Sequence, residues 1–219
     1  MGIRFAEEGA TVFEMSAESA PVGPIGNHYD KYASQNPVER RMMEGFLRTL
    51  DGMLAPLQPS AVLEVGVGEG EILERVRSRF PDARLQGIDL PDDDLQHEWE
   101  TRQLPCEFGD ATAMRFADGE FDLVMAIEVL EHVPQPERAL ADMARVCNGT
   151  VIFSVPFEPV WRAGNMARGR YLKQMGNTPG HINHWSRWSF KTEVSRFFDV
   201  QEVASPMPWT MVKATTRRR

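Results

Sequence analysis

Apolar positions along the chain fall into two rhythms. After Asn36-Pro37, Val38, Met42, Phe46, Leu47, Leu50 and Leu54 recur at three- and four-residue spacing, with Glu39, Arg40, Arg41 and Arg48 between them. That is the period of an amphipathic helix, and Pro56 ends it. The rhythm then shortens. Val62–Val65, Leu85–Leu90, a run closing at Phe108, Phe121–Glu128 and Thr150–Pro156 are compact apolar runs. Stretches of helical spacing, such as Ile72, Leu73 and Val76, separate them. Runs of this kind suit parallel strands covered on both faces. Their alternation with helices predicts an α/β fold built on a doubly wound sheet. On this reading Cys106 opens a central strand, and Cys147 precedes a turn at Asn148-Gly149.

The pattern changes at both ends. Residues 1–36 show no sustained period and are expected to form an arm or lid, leaving 37–219 as one domain. After Pro156, residues 157–188 are basic and aromatic, and a connection of that length in a compact domain is usually functional. Short helices and a loop over the carboxyl ends of the strands are expected there. Trp185-Ser186 then starts a helix through Phe190, Val194 and Phe197. Asp199–Val203 and Met211–Thr215 read as a closing hairpin.

The densest chemical signal follows the first strand, in Glu64-Val65-Gly66-Val67-Gly68-Glu69-Gly70. Glycines where strand turns into helix let a cofactor approach the backbone closely. A dinucleotide fingerprint would place pyrophosphate here, but Glu64 and Glu69 would repel it. Two carboxylates suit a cofactor carrying positive charge. Acids also end the next strands, at Asp89 and, past Phe108, at Asp110.

In these residues the chain resembles the class I S-adenosylmethionine-dependent methyltransferases, whose first motif reads (Glu/Asp)-x-Gly-x-Gly-x-Gly. The resemblance runs closely from about residue 58 to 160. It implies a Rossmann-like sheet of seven strands, mostly parallel with the last antiparallel, and S-adenosylmethionine as cofactor, released as S-adenosylhomocysteine. It assigns cofactor contacts to Glu64, Gly66, Gly68, Gly70, Asp89, Leu90, Asp110, Ala111 and Glu128. Asp89 would accept the ribose hydroxyls and Asp110 would meet the adenine amino group. Tyr32, with Tyr29, would cover the cofactor.

Catalysis is expected at Glu128-Val129-Leu130-Glu131-His132, just past the fourth strand, with His132 as general base and Glu131 beside it. Trp161, Arg168, Tyr171, His181, His184 and Trp185 are the candidates for the acceptor site. Arg162, Arg168, Arg170 and Lys173 could bind a carboxylate or phosphate of the acceptor, but the reading favoured for them is the solvated face of a short helix. An alternative carries a metal. The Glu-x-x-Glu-His pattern with His181 ahead of Trp185 resembles the small-RNA 3′-terminal 2′-O-methyltransferases, where such a set holds a divalent ion. A metal-free site is favoured on the sequence, because one downstream histidine is a thin basis for a further ligand.

Composition narrows the acceptor. Net charge is −8, which argues against a grip on nucleic-acid phosphates. No apolar run approaches membrane-span length. Glu7, Glu8 and Glu14 do not fit a signal peptide, so a cytoplasmic protein is expected. The expected function is methylation of a small-molecule acceptor, on oxygen. The alternatives are metal-assisted 2′-O-methylation of RNA or a diol, and a cofactor-binding member that does not transfer methyl.

Overall fold

The computed structural model describes residues 36–169 and 171–217. The expected lid residues Tyr29 and Tyr32, and Arg170 of the basic cluster, lie outside the described residues. Helix α1 spans Pro37–Leu54, and the Asn36 side chain accepts the Val38 amide at 2.9 Å to cap its start. Its buried face is Met43, Phe46, Leu50, Met53 and Leu54. Val38 is 65% exposed. With Met42 and Met207 it lines an open groove of about 520 Å³ instead. Met42 and Leu47 pack against the same core, so the expected stripe is the buried face except at Val38.

Seven strands follow: β1 (Ala61–Val65), β2 (Arg84–Asp89), β3 (Cys106–Phe108), β4 (Phe121–Ile127), β5 (Cys147–Pro156), β6 (Phe198–Ala204) and β7 (Trp209–Thr216). Their order is β3-β2-β1-β4-β5-β7-β6. The pairs from β3 to β5 are parallel, and β7 runs antiparallel to both neighbours. The remaining helices are α2 (Glu71–Arg79), α3 (Asp93–Arg102), α4 (Pro136–Val146), α5 (Glu158–Ala167) and α6 (Arg187–Val194). The expected Rossmann-like α/β sheet is therefore present.

Strand β4 shows why the runs are continuously apolar. Its Val124 and Ala126 join a core with Leu140, Met143 and Phe190 of α4 and α6. Its Leu123, Met125 and Ile127 join a second core with Phe46, Leu50, Leu73 and Trp99 of α1, α2 and α3. Alternate residues serve opposite faces, and both faces are dry.

Three sequence expectations are corrected. Cys106 lies on β3, an edge strand, because the order reverses at β1 and β4. Cys147 begins β5, and Asn148-Gly149 form an irregularity in its pairing with β4 rather than a turn. A Cβ on Gly149 would lie 2.3 Å from the Asp122 carbonyl oxygen, so the strands close there only over glycine. Helix α6 ends at Val194, before Phe197. Both thiols are free. Burial pushes Cys106 up to about 12 and Cys147 to about 11, so both stay protonated at neutral pH.

The loop from β3 to β4 carries Asp110 and Ala111 and is held from outside. Arg145 on α4 donates to the carbonyls of Met114 and Phe116 and to Asp118 and Asp142. Asp142 accepts the Met114 amide at 2.6 Å. Arg145→Ala should release this loop without unfolding the sheet. Hydrogen exchange checks it: the Met114 amide should lose protection while the amides of β4 keep theirs.

Candidate active site

The turn after β1 is built for close approach. Gly66, Gly68 and Gly70 all take positive φ, at 73°, 51° and 89°. The amides of Gly66 and Val67 both donate to the Ile88 carbonyl, which pins the turn to β2. The three glycines differ in what surrounds them. A Cβ on Gly66 would meet the Val129 side chain at 2.3 Å, and one on Gly70 would meet Leu104 at 2.1 Å. A Cβ on Gly68 would meet nothing within 4 Å. Gly68 thus faces open space, whereas Gly66 is glycine because the loop after β4 lies against it. Trp99 of α3, which sequence reasoning did not single out, donates its indole N–H to the Gly68 carbonyl at 2.7 Å.

Two acids flank the turn. Glu64 is 2% exposed, and its Oε2 has no hydrogen-bond partner among the described residues. Burial, reinforced by the nearby Asp89 charge, holds its carboxyl well above the usual carboxylate range, and the Leu73 amide only partly opposes this. Asp89 accepts the amides of Gly68 and Leu90, both at 2.7 Å. Burial raises its carboxyl as well. Each Asp89 oxygen keeps further lone pairs for a hydroxyl donor. An orphaned buried carboxylate oxygen, a glycine facing open space and an acid at the neighbouring strand tip fit a cationic cofactor bearing a ribose. Leu90 is 52% exposed beside Asp89. Asp110 is exposed and accepts the Thr112 amide and hydroxyl, which shapes the turn toward Ala111. An open groove of about 890 Å³, lined by Asp51, Arg75 and Phe80 among others, lies at the amino ends of β1 and β2. Ligands in such sheets bind at the carboxyl ends, so the groove is not the site.

The loop after β4 is sharply bent. Glu128 adopts φ 61°, left-handed and strained for glutamate. Its amide donates to the Ser154 carbonyl, and its carboxylate accepts the Ser154 hydroxyl at 2.9 Å and the Trp209 indole N–H at 2.6 Å. Past this bend Val129 reaches Gly66, and a 3-10 turn over Leu130–His132 carries Glu131 and His132. Glu131 is 1% exposed. The Nδ1 of His132 lies 2.9 Å from the Gly180 carbonyl and donates to it.

Residues 157–188 dock onto that turn. The Glu131 carbonyl accepts the amides of Ile182 and Asn183, and the Asn183 side chain donates to the carbonyls of Leu130 and Val133. This brings His181, 4% exposed, edge-on to His132 with ring centroids 5.0 Å apart. Glu131, His132 and His181 each place one donor atom within 4.8 Å of the others. Glu158, buried on α5, lies 2.9 Å from Nδ1 of His181.

The remaining acceptor candidates separate. Trp161 stacks on His181 and donates its indole N–H to Thr178, so it borders the cluster. His184 is exposed, 2.8 Å from the Asn177 side-chain oxygen, and stays outside it. Trp185 packs on Phe190 at 5.4 Å and pairs with Phe157, which makes it part of the core. Arg168 bridges Glu39 of α1 and Asn165 of α5, a tie between helices. Tyr171 is 37% exposed. Ser154, Trp209 and Glu158 were missed by sequence reasoning. Their roles come from pairing between distant segments, for which the sequence holds no local signal.

Residues 63–154 match the family described as "Methyltransferase domain". The likeness to methyltransferases thus lies in β1 to β5, the strands that carry the glycine turn and the bend at Glu128. The chain is 28% identical over 130 residues to the malonyl-[acyl-carrier protein] O-methyltransferase of Geobacter sulfurreducens, covering 58% of this chain and 47% of that one. It is 37% identical over 108 residues to a ubiquinone biosynthesis O-methyltransferase of Thiobacillus denitrificans, covering 46% of each. The chain thus spans about half the length of these curated relatives. A solved structure from Pyrococcus horikoshii shares the fold, with TM-score 0.67 at 15% identity over 87% of this chain and 97% of that one. Among the described residues no helix is long and apolar enough to cross a membrane.

The glycines give a paired test by calorimetry with S-adenosylhomocysteine. Gly68→Ala should weaken binding about tenfold or more while unfolding stays cooperative. Gly66→Ala should chiefly lose stability, about 1–3 kcal/mol, because Val129 must move and φ is positive.

Glu64 gives a second test. Its raised carboxyl means the folded state holds that proton more tightly than the unfolded chain does. The stability this contributes is present below the ordinary carboxylate range and is lost as pH rises through the folded value. Where it is ionised, the group costs stability unless a cation faces it. Glu64→Gln should raise the melting temperature of the ligand-free protein and shrink the rise produced by S-adenosylhomocysteine. A lower ligand-free melting temperature would contradict the assignment.

Proposed function

We propose that the protein transfers a methyl group from S-adenosylmethionine to a hydroxyl oxygen of a small-molecule acceptor. The carrying observation is the contact between Val129 and Gly66. It sets the loop bearing Glu131 and His132 directly beside the glycine turn. A cofactor lying over Gly68, its ribose on Asp89, would extend toward that loop. Glu64 supplies negative charge under the ammonium end. Methyl transfer is an in-line displacement, and the sulfonium is already a strong electrophile. The protein must align donor and acceptor and take the acceptor's proton.

The Glu131–His132–His181 cluster supports an oxygen acceptor. With Nδ1 of His132 donating to Gly180, the neutral ring carries its lone pair on Nε2. That is the atom a base or a ligand uses. Trp161 beside the cluster offers an apolar wall. The curated relatives include O-methyltransferases, and an N-methyltransferase for ajmaline, from Rauvolfia serpentina, also matches. A half-buried histidine able to take a proton favours a hydroxyl, whose proton must leave as the methyl arrives. Net charge of −8 favours a small acceptor over a polyanion.

A screen of metabolite fractions for labelled-methyl incorporation would supply the acceptor. On it, His132→Ala should lower kcat by about 10²–10⁴-fold with cofactor affinity nearly unchanged. Full turnover by that variant would remove the cluster from the chemistry.

A further inference from the structure

We propose that Trp99 is a positioning residue for the cofactor: its indole fixes the conformation of the Gly68 peptide and, through it, the affinity of the glycine turn. The proposal rests on the reading above that S-adenosylmethionine lies over Gly68.

Helix α3 buries little of itself. Between Asp93 and Arg102, Trp99 is the one buried residue, at 3% exposed. The helix starts close to the β2 tip, where Asp92 caps it by accepting the amides of Asp94 and Leu95. At its other end Arg102 bridges to Glu71 and Glu74 of α2. These ties bring α3 alongside the turn, and Trp99 is the side chain that enters. Its ring lies 5.3 Å from Phe108, the last residue of β3, and its N–H reaches the Gly68 carbonyl at 2.7 Å. Apolar packing alone asks for no N–H at this position. A buried tryptophan needs an acceptor, and the acceptor here belongs to the one glycine of the turn that faces open space.

Gly68 needs such a hold. Its φ is 51°, no neighbour crowds its Cβ position, and a glycine can leave that conformation at little cost. Two hydrogen bonds restrain it. Its amide donates to Asp89 and holds the peptide before it, and its carbonyl accepts from Trp99 and holds the peptide after it. Because that second peptide is planar and trans, the Glu69 N–H points away from the indole. This amide donates to no group among the described residues. Without Trp99 the Gly68–Glu69 peptide is free to rotate, which would exchange the amide and carbonyl edges that the turn presents. Ordering it again on binding would weaken affinity. Phe108 is followed directly by Gly109-Asp110, so the same indole also sets the spacing between the glycine turn and the acid at the β3 tip.

Trp99→Phe keeps a ring against Phe108 and removes the N–H. Calorimetry on the full chain should show S-adenosylhomocysteine affinity falling about 10-fold. Val76→Ala, a cavity in the same core on α2, should lower the melting temperature at least as much and keep affinity within about twofold. In a Gly68→Ala background Trp99→Phe should cost little further affinity, because both act through one peptide. In the ligand-free wild type the Trp99 indole N–H, followed by NMR, should be protected from hydrogen exchange, and the Glu69 amide resonance should shift or broaden in Trp99→Phe. Wild-type affinity in Trp99→Phe overturns the proposal. So does an affinity loss in Val76→Ala that matches Trp99→Phe, because loosened packing would then account for both. If Trp99→Phe fails to fold, an unprotected Trp99 indole in the wild type still overturns it. A wild-type chain that keeps the indole protected yet binds no S-adenosylhomocysteine overturns the cofactor reading itself, and leaves Trp99 as a structural tie alone.

Discussion

The bend at Glu128 is the constraint on which the rest of the site depends. A left-handed glutamate costs about 1–3 kcal/mol. Two hydrogen bonds to its carboxylate, at about 1.5–3 kcal/mol each, can offset that. The donors are the hydroxyl of Ser154 on β5 and the indole of Trp209 on β7, so the bend is clamped by two neighbouring strands. Because the chain turns there, Val129 falls against Gly66 and the Leu130–His132 turn faces the segment after β5. That segment then pairs with the turn's exposed carbonyls through Ile182 and Asn183. His181 reaches His132 only as a consequence.

The two halves of the site have different electrostatic problems. At the glycine turn, Glu64 and Asp89 crowd negative charge at the ends of β1 and β2, and burial makes Glu64 the worse placed. A cationic ligand relieves both. At the far side, Glu131 and Glu158 are buried close to His132 and His181. The fold therefore keeps two clusters of buried acid on either side of the Val129–Gly66 contact.

Much of the fold was legible because burial on both faces leaves a plain trace. The runs at Val62–Val65 and Phe121–Ile127 could hardly be anything but central strands, and acids at their tips are chemically conspicuous. The glycine turn was legible for the same reason. The core face of α1 was legible except at its start, where Val38 lies out in solvent. Other features were not. Asn148-Gly149 looked like a turn because local propensity cannot sense a strand irregularity. Glu158 looked like an ordinary acid in the first turn of a helix, and its partner lies 23 residues on. Trp99, Arg145 and Ser154 act across the sheet or between layers, and such contacts exist only once the topology is known.

The central claim is that the reactive end of the cofactor faces the Glu131–His132–His181 cluster across the Val129–Gly66 contact. A crystal structure with S-adenosylhomocysteine tests it most directly. The account predicts the ribose hydroxyls on Asp89, the homocysteine along Gly68 and the sulfur directed at the cluster. A sulfur turned away from the cluster, or a cofactor seated elsewhere on the sheet, would contradict it.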